Sequence, residues 1–70
     1  MGEAAVPKSW SSREIEAALL AAGFSVVARS GSHVKYRHPD GRIVVLQAGR
    51  KDVPPGTLAS IRRMSGLKLR

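Results

Sequence analysis

FSVVARSGSHVKYRHPDGRIVVL, residues 24–46, is the stretch that decides the fold. Phe24 to Arg29 is rich in β-branched and aromatic side chains, which suit a pleated, half-buried surface. Ser30-Gly31-Ser32 is a turn cluster, and after it His33 to His38 alternates strictly. Val34 and Tyr36 fall on one face, and His33, Lys35 and Arg37 on the other, as in a strand with one buried and one wet side. Pro39-Asp40-Gly41 is a second turn signal. Beyond it Arg42-Ile43-Val44-Val45-Leu46 is nearly all apolar, a pattern that predicts a central or well-covered strand. Two tight turns join three short runs, so the segment is an antiparallel meander.

Upstream, Ser11 stands three residues before Glu14, the capping-box spacing that satisfies two orphan amides at a helix start. Trp10 and Ile15 flank it as a hydrophobic staple. Ile15, Ala18, Leu19 and Ala22 recur at helical spacing, and Gly23 supplies a residue able to turn left-handed at the end. Downstream, Ala48 to Val53 is a polar, basic loop that runs into Pro54 and Pro55, residues suited to a helix start. Leu58, Ile61 and Met64 are spaced to face the sheet. Gly66 closes that helix and leaves Leu67 to Arg70 as a short basic tail. Two helices can bury a three-stranded antiparallel sheet only by sharing one of its faces. The expectation is α+β: an αβββα two-layer sandwich with both helices on one sheet face. Residues 1–8 lack periodicity and are expected to be a loose leader, with residues 9–70 forming a single domain.

Seventy residues hold one core and no more. There is no cysteine, which excludes a disulfide framework and a thiolate metal site and fits a reducing cytoplasm. No run reaches the ~20 apolar residues of a membrane helix, and Met1 to Lys8 has no signal-peptide centre. Twelve Lys and Arg oppose five Asp and Glu, a net charge of +7 that calls for a polyanionic partner. The basic residues are spread along the chain, which disfavours a membrane-surface helix.

Two histidines, His33 and His38, are the side chains suited to proton transfer near neutral pH. RNA carries its own nucleophile, the 2′-hydroxyl, so a base and phosphate-holding donors suffice without metal. His33 follows the Gly-Ser turn and shares the wet face with Lys35 and Arg37, cations able to hold phosphate. His38 has the opposite parity and abuts Pro39, so a place in the turn or at the core edge is expected for it. Glu14, Glu16, Asp40 and Asp52 fall at caps, turns or a helix face, and nothing has metal-ligand spacing. Arg50 and Lys51 precede the second helix, where Gly56 and Thr57 add an amide and a hydroxyl. By spacing alone that stretch reads either as a phosphate seat or as an ordinary loop with Asp52 as N-cap.

Three groups of residues read together resemble the HicA family of toxins: GSHVKYRHPDGR at 31–42, PGTLASI at 55–61 and Ser65-Gly66-Leu67. The likeness spans about residues 11–67. It implies a fold like that of double-stranded-RNA-binding domains and an mRNA-cleaving toxin, an mRNA interferase that works without metal or other cofactor. It further implies His33 as the catalytic residue; the expected RNA- and phosphate-binding set, read from charge and placement, is Ser32, Lys35, Arg37, Arg50, Lys51 and Thr57. The implied partners are mRNA and a HicB-like antitoxin protein that silences the toxin. One departure stands out: many relatives carry Pro-x-His after the third strand, where this chain has Leu46-Gln47-Ala48. That missing histidine supports an alternative expectation, a noncatalytic RNA-binding module of the same fold.

Overall fold

A computed structural model describes residues 9–69; the expected leader, residues 1–8, lies outside them. The elements run α1 (Ser12–Ala21), β1 (Ser25–Ser30), β2 (His33–Arg37), β3 (Ile43–Gln47) and α2 (Pro55–Ser65). The sheet is antiparallel with strand order β1-β2-β3. The αβββα order and the meander are those expected.

The start of α1 carries the complete capping box: the Ser11 hydroxyl accepts from the Glu14 amide at 3.2 Å, and the Glu14 carboxylate accepts from the Ser11 amide at 3.0 Å. Ile15 and Leu19 are fully buried, with Ala18 and Ala22 packed beside them. Val34 and Tyr36 of β2, Val44 and Leu46 of β3, and Leu58 and Ile61 of α2 join the same cluster. Both helices therefore cover one sheet face and leave the other open.

Two turns set the register. Gly31 has φ +58 and among the described residues only glycines have positive φ, so Gly31-Ser32 is the two-residue type II′ connection between Ser30 and His33. At the other end the His38 amide donates to the Arg42 carbonyl at 2.9 Å, closing three residues around Gly41. From there the register runs Arg37↔Ile43, Lys35↔Val45 and His33↔Gln47.

Three expectations need correction. β3 is an edge strand, not a central one: Ile43 and Val45 lie on the open face, 40% and 45% exposed. With three strands among the described residues and helices on one side only, an all-apolar run is not covered on both faces. Met64 does not face the sheet and is 47% exposed, while Ser65 is fully buried. The buried stripe runs Leu58, Ile61, Ser65, and Ser65 is tolerated inside because its hydroxyl accepts from the Leu67 amide at 3.1 Å and its carbonyl accepts from Arg42 Nη1. The tail is more than a basic appendage, since Leu69 is 2% exposed within the core and Leu67 packs against it.

Candidate functional site

The type II′ turn delivers His33 to the first position of β2 with its side chain on the open face, exposed. Ser32 lies in the turn itself, where its carbonyl accepts from the Ala48 amide at 2.6 Å. That bond ties the end of β3 to the start of β2. Opposite His33 on the same face is Gln47, whose Oε1 accepts from Arg50 Nη1 at 3.2 Å. Leu46, Gln47, Arg50, Val53, Pro54 and Thr57 then line a hollow of about 160 Å³ between β3 and the start of α2. His33, Ser32, Gln47 and Arg50 thus gather at one corner of the sheet, and Thr57 lies across the hollow from Gln47 and Arg50.

Lys35 and Arg37 follow His33 along the open face at alternate positions. At ~3.3 Å per residue Lys35 is about 7 Å from His33 and Arg37 about 13 Å away. They form a cationic track leading away from the corner, with Arg37 at its far end beside Ile43.

Lys51 departs from the corner. It lines a cleft of about 510 Å³ on the helix side of the sheet, together with Arg13, Glu16, Arg29, Tyr36 and Arg50 among others. The walls are stitched together through Ser12: its amide donates to the Arg50 carbonyl at 2.9 Å and its hydroxyl accepts from the Arg50 amide at 2.9 Å. On the floor the Tyr36 hydroxyl donates to Glu16 Oε2 at 2.6 Å. Burial first, then the hydrogen bond to Glu16 and its charge, push the Tyr36 phenol well above its ordinary pKa, while the nearby Arg29 cation opposes this. The phenol stays protonated and serves as a donor.

The start of α2 has no side-chain cap. Pro54 is the N-cap residue and Pro55 the first helical position, so Asp52 does not cap this helix. His38 lies at the core edge, as expected. Its ring meets Phe24 edge-on with centroids 5.2 Å apart, and Nδ1 lies 3.1 Å from the Asp40 amide nitrogen, from which the neutral ring accepts. Among the described residues no three His, Asp or Glu side chains converge as a metal site would require.

Gln47, Arg13 and Arg29 escape a reading of the sequence by motif. The signal for Gln47 was available: counting back from a three-residue turn at Pro39-Asp40-Gly41 pairs position 33 with 47. Arg13 and Arg29 come together only through the tertiary packing of α1 against the sheet, for which no local pattern exists.

The family described as the HicA toxin of bacterial toxin-antitoxin matches the chain over residues 12–67. No curated protein matches it.

Proposed function

The chain belongs to the HicA toxin family of bacterial toxin-antitoxin systems, and on that footing we propose that it is the mRNA-cleaving endoribonuclease of such a pair, working by metal-independent acid/base chemistry at His33. The observation that carries this reading is the corner itself: a histidine held at a strand start by a type II′ turn, exposed on the open face, with Gln47 across from it and Arg50 beside Gln47. In the reaction the 2′-oxygen attacks the adjacent phosphorus and the bond from phosphorus to the 5′-oxygen breaks. His33 either takes the 2′-proton while water protonates the departing 5′-oxygen, or protonates that oxygen while water takes the 2′-proton; the products are a 2′,3′-cyclic phosphate and a 5′-hydroxyl. Ser32, Arg50 and Thr57 hold the scissile phosphate. Lys35 and Arg37 bind the strand along the open face, and Lys51 binds it further off.

The site of action is the cytoplasm, where mRNA is found, and a HicB-like antitoxin covers the corner in the silenced state. No helix of the described residues is long and apolar enough to cross a membrane. A second reading, an RNA-binding module that does not cut, has one specific support. Ala48, where many relatives carry histidine, has its amide bonded to the turn that precedes His33, so at that turn this chain has no second imidazole. Here Gln47 and Arg50 occupy that neighbourhood instead.

The test is cleavage of a labelled RNA by the native chain and by His33→Ala. The expected outcome is a loss of about 10²–10⁴-fold in rate, with cyclic-phosphate ends in the native digest and cutting that persists in EDTA. Equal cutting by both proteins overturns the catalytic assignment; RNA binding without cutting by either establishes the second reading.

A further inference from the structure

We propose that the helix-side cleft between the start of α1 and the β3–α2 loop is a separate phosphate-binding subsite, taking a backbone phosphate of the RNA strand outside the scissile bond. The inference rests on RNA being the ligand of the corner at His33, but not on any cutting there. Four cations line the cleft, Arg13, Arg29, Arg50 and Lys51, against one carboxylate, Glu16. That carboxylate is occupied by the Tyr36 hydroxyl at 2.6 Å. Among the described residues Asp40 pairs with Arg42, and with His38 only when that ring is protonated, and no ion pair neutralises the four cations. A concavity in which four cations face a single carboxylate keeps a net positive potential and is a site for an anion.

Three of the four are arginines, whose planar forks match phosphate oxygens two at a time. Arg13 lies in the first turn of a ten-residue helix, so the helix dipole adds to the same potential. The volume is in the range of pockets that enclose small ligands, about 300–1,000 Å³, and suits one nucleotide better than the broad surface of a protein. Continuity favours RNA over an acidic protein segment. Arg50 borders both the cleft and the hollow beside Gln47, so a strand leaving the His33 corner passes over Arg50, round the exposed edge of β3, into the cleft. The Ser12 clamp on the Arg50 backbone holds the two walls at a fixed separation.

The test uses the full chain and a short 2′-O-methyl RNA oligonucleotide, which cannot be cut. The double variant Arg13→Gln/Arg29→Gln is expected to weaken binding by about tenfold and to lower the salt slope by about 0.7, the contribution of one single-strand phosphate contact. Arg63→Gln/Lys68→Gln removes the same charge from exposed positions elsewhere and is expected to change binding less than twofold. Glu16→Gln keeps an acceptor for Tyr36 but removes the opposing charge, and is expected to tighten binding. All these positions are solvent-facing or conservatively replaced, and thermal melts verify that each variant folds. Inorganic phosphate, followed by NMR, is expected to shift the amides of residues 12, 13 and 49–51.

Equal weakening by the two double variants reduces the effect to net charge and overturns the proposal. So does a Glu16→Gln variant that binds no better, or a phosphate titration that leaves those amides unmoved. Weakened binding of polyglutamate with RNA binding intact reassigns the cleft to a protein partner and likewise overturns it. None of these outcomes depends on whether His33→Ala still cuts, so the two readings fail separately.

Discussion

Gly23 sits at φ +101, and a methyl group there would lie 3.1 Å from His38 Nε2. Gly23→Ala therefore meets both a backbone region unfavourable to L-residues and the imidazole packed on Phe24. A loss of about 1–2 kcal/mol is expected from the backbone alone, measurable by urea unfolding. Asp40 offers a test by pH. Its carboxylate accepts from the Arg42 amide at 3.0 Å and from Arg42 Nε at 2.8 Å. The amide first, then the guanidinium and His38, hold its pKa below the ordinary 3.8. A folded-state pKa below the unfolded one gives stability that is present above the ordinary value and fades as pH falls through the depressed one. Thermal melts below pH 3.8 should show this loss in the native chain, and Asp40→Asn should flatten the curve over that window. The residue-level reading of the sequence separated His33 from His38 by strand parity, because alternation is a property of the chain itself. It could not supply Arg13 or Arg29, since their meeting depends on how α1 lies against the sheet.

Among the elements, α1 was legible in full: the cap, the stripe and the stop are all local signals, and each reports on its own few residues. The strands were legible in place and order, because turns mark them, but not in their coverage. β3 looks the same in sequence whether central or at an edge; only the number of strands decides. For α2 the choice between Met64 and Ser65 goes against hydrophobicity. Ser65 lies on the same side as Leu58 and Ile61, and its polar groups are bonded by Leu67 and Arg42. The tail illustrates the same limit, since Leu69 is fixed by a long-range contact and by Arg62 Nη1, which donates to its carbonyl at 3.2 Å. Leu69→Ala is expected to cost about 2–3 kcal/mol, the lower part of the range for buried leucines because the irregular segment after α2 can relax. Equilibrium unfolding checks this. A cost below 0.5 kcal/mol would mean that the last residues do not belong to the core.

For the whole molecule the decisive quantity is a charge of +7 on 70 residues. Self-repulsion on that scale weakens the compact state and is screened by salt. The melting temperature should therefore rise between low salt and ~0.3 M NaCl, while RNA affinity falls over the same range. Opposite salt responses from one protein distinguish charge that opposes folding from charge that binds a ligand. The sheet's shape adds a further consequence through β1, whose register against β2 shifts between Val26 and Ala28. Val27, the unmatched residue, is 52% exposed at an open edge next to Val26 at 48%. Without that irregularity β1 would be a straight, valine-bearing border ready to add a strand from another molecule, whereas a bulge twists such a border out of line. Deleting Val27 should leave the helices and core contacts in place yet produce a protein that self-associates as its concentration rises, detected by light scattering. On that expectation the extra valine works against self-association along the β1 border, one misfit residue breaking the line of an open edge.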